Sequence, residues 1–219
     1  MAFPSPLWDD ADEAIILPRV PVMNSTQAKQ KPDGRRLRSA ASRRRIVEAM
    51  RDLVREGTVS PRAEEVAARA DVGLRSVFRH FDDMESLYRE IGDLIFADVA
   101  PMLQLPPPTG TLEEIVMEMI DRRVKLFERI MPFRTAADAN AHRSPYLAEE
   151  RHRMNTAFRD IMRSALPPAI RKDKTTIDAL DAVLSFDFWK RLRSDQRLSI
   201  SQARRVVEMT AALLIGEKQ

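Results

Sequence analysis

Side chains that could make or break a covalent bond are scarce in this sequence, whereas cations are plentiful. There is no cysteine, which excludes a disulfide framework, a thiolate nucleophile and cysteine-ligated zinc. The three histidines, His80, His142 and His152, lie too far apart for a short metal-ligand spacing. Asp82-Asp83-x-Glu85 has the look of a magnesium-diphosphate motif, but Ser86 fills its last acidic place and no second acidic motif accompanies it. Helix capping accounts for the aspartates. With no glycine-rich phosphate loop and no Ser/His/Asp set, no catalytic residue, metal ligand or cofactor is assigned, and the chain is not read as an enzyme. The cations are arranged differently. Arg43, Arg44 and Arg45 are consecutive, Arg62 follows, and Arg75, Ser76, Phe78, Arg79 and His80 crowd into six positions. Guanidinium groups match phosphates and guanine edges, hydroxyls bond bases or phosphates, and an aromatic ring can meet a thymine methyl. Such a set suits contact with a polyanion.

The overall charge hides this. Of 219 residues, 36 are Lys or Arg and 33 Asp or Glu, a net charge of +3, and 44% are hydrophobic, as in ordinary globular chains. Residues 1–28 hold four acids and one base, −3, whereas residues 29–45 hold eight bases and one acid, +7. The proline-bearing opening, without helical periodicity, reads as a disordered or loosely attached arm over 1–38, acidic and then basic. On charge alone, the basic run is equally a solvated tail or an arm drawn to phosphates by counterion release. The acidic start lacks the basic and apolar regions of a signal peptide, and the longest apolar stretch, Ala211 to Ile215, is too short for a bilayer. A cytoplasmic chain without membrane contact is expected.

The elements that must hold these side chains are helices. Ile46, Ala49, Met50, Leu53 and Val54 give an apolar stripe from Ser42 to a stop at Gly57. Ser60-Pro61 starts a short helix with Ala63, Val66, Ala67 and Ala70 inward. After the turn Asp71-Val72-Gly73, a second short helix places Leu74, Val77 and Phe81 inward and Arg75, Ser76, Phe78, Arg79 and His80 outward. Two short helices around a tight turn fit a helix-turn-helix, whose second helix enters the major groove. Taken by itself, such a pair is more often an amphipathic hairpin with a charged outer face, since helical folds contain many. A longer fourth helix closes at Pro101 and the run Pro106-Pro107-Pro108. Beyond it, Thr111 and Glu114 form a capping box, Pro132 begins a short segment, and Ser144-Pro145 opens another helix. A helix over 176–192 and one from a capping box at Ser199 and Gln202 complete the chain. The expected fold is all-α with about nine helices: arm 1–38, helix-turn-helix domain 39–100 including the connecting fourth helix, and helical domain 101–219.

The run from Glu65 to Leu87 resembles the DNA-binding signature of TetR-family transcriptional regulators, roughly Ile-Ala-x-x-Ala-Gly-Val-Ser-x-x-Thr-Leu-Tyr-x-Tyr/His-Phe-x-x-Lys-x-x-Leu. Val66, Ala67, Ala70, Val72, Phe81 and Leu87 match its core positions, Phe78 and His80 its groove-facing aromatics, and Ser76 stands for the usual Thr. The match spans Ser42 to Ile91. Asp71 replaces the turn glycine, a place Asp tolerates in the left-handed conformation. Gly73 replaces the capping Ser, and Met84 the phosphate-touching Lys, whose loss the basic arm is expected to offset.

The resemblance implies a sequence-specific regulator, most simply a repressor, that binds a pseudo-palindromic double-stranded operator as a homodimer and is released by a small-molecule effector. The DNA-contacting residues would be Arg43, Arg44, Arg45, Arg62, Gly73, Arg75, Ser76, Phe78, Arg79 and His80. Pocket candidates are Met102, Met117, Phe127, Met131, Met154, Phe158 and Trp189, although such stripes also make ordinary cores. Interface candidates in the last two helices are Leu180, Leu184, Phe188, Val206, Met209 and Leu213, each of which could instead be intrachain core. The alternatives are a helical dimer that binds nucleic acid without sequence preference, and an all-α enzyme.

Overall fold

A computed structural model of the chain describes residues 34–216. The acidic leader, Lys29 and Lys31 lie outside the described residues. All regular structure among the described residues is helical. The first helix, α1 (Gly34–Arg55), begins about two turns before Ser42, so Arg35, Arg36 and Arg38 are helical and exposed. Its buried stripe starts only at Ile46. The preceding turns therefore carry no periodic signal, even though Arg and Ala favour a helix. At its end Gly57 takes φ 102°, and Thr58 N–H closes the turn on Leu53 O at 2.9 Å. A side chain there would meet the left-handed penalty, which glycine avoids.

Next come α2 (Ala63–Arg69) and α3 (Leu74–His80). Between them Asp71 has φ 51°, and Val72 N–H reaches Ala67 O at 3.0 Å. The tight turn thus forms with aspartate at its left-handed position. On α3, Val77 and the following Phe81 are buried, but Leu74 is 38% exposed and does not join the core as its spacing implied. The fourth helix, α4 (Met84–Leu103), starts on Asp83, whose carboxylate accepts from Ser86 N–H at 2.7 Å, and runs through Pro101 into its last turn. Ile46, Met50, Val66, Ala67, Val77, Phe81, Leu87 and Ile91 make the core of this head.

The body begins with α5 (Leu112–Asn140), opened by the reciprocal bonds of Thr111 and Glu114 at 2.8 and 3.2 Å. Instead of ending before Pro132, α5 continues through it. Proline removes one helical hydrogen bond and crowds the preceding turn, costing about 3 kcal/mol. Ile130, Arg134, Ala136 and Asn140 are buried on both sides of it, and that packing holds the helix together. A 3-10 turn, Ala141–Arg143, leads to α6 (Pro145–Ala165) and the short α7 (Pro168–Lys172). The single helix expected over 176–192 is two, α8 (Lys174–Val183) and α9 (Phe186–Lys190), followed by a π-helical turn, Arg191–Asp195. Ser185 is extended and accepts from Phe188 N–H at 3.1 Å, so it restarts the chain as an N-cap. Ser199 and Gln202 exchange the expected capping bonds at 2.9 and 3.3 Å before α10 (Ile200–Gly216). Val99, Phe127, Phe158, Met162, Leu180, Phe186, Trp189 and Val207 belong to the body core. Among the described residues, no helix is long and apolar enough to cross a membrane.

The turn at Asp71 is the least forgiving local feature of the head. Asp71→Ala should lower unfolding free energy by about 1 kcal/mol, whereas Asp71→Gly should not lower it, as read by chemical denaturation.

Candidate nucleic-acid interface

The outer side of α3 is built from what the inner side buries. Val77 and Phe81 are each 2% exposed, and they fix the roll of a helix too short to be stable alone. Arg75 and Arg79 are thereby exposed, Phe78 stands 50% exposed, and Ser76 and His80 are half-buried at the flanks. Among the described residues the Arg75 side chain has no hydrogen-bond or ion-pair partner, while Arg79 Nη2 donates to Ser76 Oγ at 3.2 Å. Gly73 is extended at the N-cap, with open space where a side chain would stand. Arg62 precedes α2, where its backbone N–H donates to the Glu65 carboxylate at 2.7 Å and its side chain stays exposed.

The three consecutive arginines of α1 are not equivalent. Arg44 is exposed with no side-chain partner among the described residues, and Arg45 lies a loose 3.9 Å from the Asp71 carboxylate. Arg43, expected beside them as a phosphate contact, is exposed but also tied into the head. It donates to His80 O at 2.5 Å, forms an ion pair with Glu90 of α4, and stacks 4.3 Å over the Phe81 ring. One guanidinium therefore joins α1, the end of α3 and α4. Spacing could not separate this role from its neighbours', because the partner Glu90 is 47 positions away.

His80 sits under the same clamp. Its Nε2 is buried without a hydrogen-bond partner, and burial, then the charges of Arg79 and Arg43, hold its pKa below the usual 6.5. The unfolded chain therefore takes up this proton at higher pH than the folded one. The stability from neutral His80 is full above about pH 6.5 and lost as pH falls through its depressed folded value.

The head is joined to the body by defined contacts. Ser144 Oγ donates to the Glu85 carboxylate, and Arg89 lies 3.8 Å over the Tyr146 ring. Arg129 grips Asp98 through two bonds of 2.7 Å, which hold the Asp98 carboxyl below its ordinary range. On the other flank Asn140 donates to Val59 O at 3.1 Å and accepts from Ser60 Oγ at 2.9 Å.

The residues expected to line a pocket are packed into the body. Phe127, Phe158 and Trp189 are at most 8% exposed, and Met102, Met117, Met131 and Met154 are partly buried against the same core. A cavity of about 10 Å³ lies beside Phe127 and Trp189 and also touches Arg123, which composition did not single out, while Met131 lines a separate, more open cleft of about 370 Å³ with Val54, Val59, Glu128 and Thr135. Of the interface candidates, Leu180 and Leu184 are core residues, at 0% and 2% exposure, and offer no surface to a partner. Phe188 and Val206 are half-buried, whereas Met209 and Leu213 stand 61% and 68% exposed.

The described residues form an all-α structure with two hydrophobic clusters, in which the short helix α3 presents Arg75 and Arg79 outward. No protein-family model matches the chain, and no curated protein matches it. Its fold is that of a transcriptional regulator from Rhodococcus sp. Rha1, with 18% identity and a TM-score of 0.63 over 80% of this chain and 97% of the other. It is also similar to a protein assigned to the TetR family of transcriptional regulators in Mesorhizobium loti, at 19% identity and a TM-score of 0.49 over 82% and 98% of the two chains. A TetR transcriptional regulator of Rhodococcus sp. RHA1 gives 18% and 0.45 over 82% and 99%.

Two measurements probe this surface. Replacing His80 by Asn should flatten the fall in melting temperature between about pH 7 and pH 5; an unchanged slope would place the acid sensitivity elsewhere. Glu90→Ala should release Arg43 from α4 and lower thermal stability, and Arg43→Ala should add little to that loss in the double variant, because both remove the same interaction.

Proposed function

We propose that this chain is a sequence-specific DNA-binding transcriptional regulator, acting as a cytoplasmic homodimer on a pseudo-palindromic operator, most simply as a repressor released by a small-molecule effector. The observation that carries the reading is the face of α3, where Arg75, Phe78 and Arg79 stand outward over Val77 and Phe81. The resemblance of residues 65–87 to the TetR signature and the fold shared with a transcriptional regulator support it. We place the DNA-binding part at residues 39–100, the effector and dimer part at 101–219, and an auxiliary arm at 1–38. Arg75, Ser76, Phe78 and Arg79 are assigned to base edges. Arg44, Arg45, Arg62 and the backbone at Gly73 are assigned to phosphates, which position the protein without reading sequence. Arg43 and His80 set the pose of α3. No enzymatic activity is assigned.

A twofold dimer suits this task, because two recognition helices one DNA turn apart read a symmetric site. Val206, Met209 and Leu213 recur at helical spacing along α10, and the last two are the most exposed large apolar side chains described. With Phe188 they form the surface we assign to the dimer contact. Between the lobes, α4 gives Leu87 and Ile91 to the head core and Val99 to the body core. An effector that favours a different α4 position would release DNA, provided it binds that state more tightly than the DNA-bound one.

A selection of binding sites from random DNA with the purified full chain tests the reading, and it should return two inverted half-sites about one helical turn apart. Recovery of no shared sequence, with specific and non-specific affinities alike, would favour a helical dimer that binds nucleic acid indiscriminately. Arg75→Ala should lose about 1–3 kcal/mol of discrimination at one base position, whereas Arg44→Ala should weaken all sequences alike and reduce the salt slope by about one. Met209→Asp with Leu213→Asp should yield monomers in analytical ultracentrifugation, with a dimer Kd raised at least ~100-fold.

A further inference from the structure

The body core contains a charge that no side chain of opposite sign accompanies. Arg123 of α5 is 8% exposed, yet it forms no ion pair among the described residues. Its Nη1 donates to Leu184 O, its Nη2 to Phe158 O at 2.7 Å, and its guanidinium lies 5.6 Å from the Phe158 ring centroid. The carboxylate whose charge reaches it, Asp181, is itself bound by Arg159 at 2.9 Å. Burial pushes the Arg123 pKa down to about 10, which still leaves it protonated at neutral pH. A buried cation with only carbonyl partners is costly, because two neutral dipoles do not replace its hydration or a counter-ion. Three of its five N–H donors remain uncommitted to these carbonyls.

This charge borders the 10 Å³ cavity, together with Val124, Phe127, Val183, Ser185 and Trp189. As it stands, the space holds about one water molecule. Its wall includes the junction where the chain has left helical geometry, Leu184 with ψ 8° and Ser185 with ψ 157°. One of the bonds that hold that junction is Arg123's bond to Leu184 O, beside the backbone and Ser185 hydroxyl bonds within α8 and α9. A carboxylate in the cavity would take the guanidinium in a two-point bond, stronger than the single bonds to carbonyls, and leave an apolar body against the aromatic wall.

We propose that the effector of this protein is a small carboxylate with an apolar body, bound by Arg123 in an enlarged form of this cavity. This inference rests on the regulator reading for the word effector, but not for the binding site itself. Binding would exchange Arg123's bond to Leu184 O for a bond to the ligand, which removes one of the bonds holding the α8–α9 junction ahead of the exposed α10 surface.

The test uses the full chain without DNA. Benzoate, phenylacetate and octanoate are compared with their amides by thermal shift, at about 10 mM and equal ionic strength set with sodium chloride. At least one carboxylate should raise the melting temperature by about 2 °C or more, its amide should not, and Arg123→Met should abolish the rise while still melting cooperatively. Arg123→Lys keeps the charge but not the fork, and should weaken binding about tenfold; it carries the test if the Met variant does not fold. Equal shifts from acid and amide, no shift from any carboxylate, or undiminished binding by the Arg123 variants would overturn the proposal. Operator binding is read separately. A carboxylate that binds at Arg123 yet leaves operator affinity unchanged upholds the site and sinks its role as effector. Absence of any specific DNA binding sinks the regulator reading and leaves the thermal-shift result standing.

Discussion

A seven-residue helix forms at most two turns, and in water its nucleation is unfavourable, so α3 exists only because one of its sides is buried. Val77 and Phe81 supply that burial against α1, α2 and α4. The rest of the head follows from the need to keep them covered. Asp71 adopts its left-handed backbone so that α2 and α3 can cross closely, Gly57 turns the chain back toward α2, and Asp83 starts α4 immediately beneath Phe81. Arg43 then seals the edge of the Phe81 ring and joins it to α4 through Glu90. The outward arginines are free to meet another molecule because the inward residues leave α3 no rotational freedom.

Much of this head is legible in the sequence, because its signals are local. Gly57 after α1, aspartate at the turn and a capping pair before α4 each act over a few residues, where sequence and structure are nearly the same information, although α2 starts on Arg62 and not on the Ser60-Pro61 pair that its sequence suggests. What the sequence does not show is decided at long range. Arg43 looks like Arg44 until Glu90, in another helix, gives it an ion-pair partner. Leu74 has an inward spacing, but it is the first residue of the helix and keeps 38% of its surface exposed.

The body was legible as helices but not as a continuous path. Proline marks a helix end when nothing else holds the segment, and at Pro132 packing on both sides outweighs the lost hydrogen bond. The opposite happens at Ser185. Ile177, Leu180, Leu184, Phe188 and Leu192 keep a helical period across it, yet the chain breaks there, and the serine that caps α9 is the only local sign. Periodicity reports which residues share a buried side, not whether the backbone between them is continuous. The same ambiguity governs the interface candidates, since Leu180 and Met209 have equivalent spacing and opposite exposure.

The stretch from Asn140 to Tyr146 meets both flanks of the head. Asn140 holds the α1–α2 loop through Val59 and Ser60, and six residues later Tyr146 lies under Arg89 of α4 with Ser144 on Glu85. The corner formed by the end of α5, the 3-10 turn and the start of α6 thus grips the head on two sides. Shear between the helices of the head would have to break one grip or the other, whereas a displacement of the whole block keeps both. The unit that would move is therefore the intact three-helix block with the near half of α4, and any such displacement must also carry or break the Arg129–Asp98 pair and the packing of Phe133 and Ala136 of α5 against the head core.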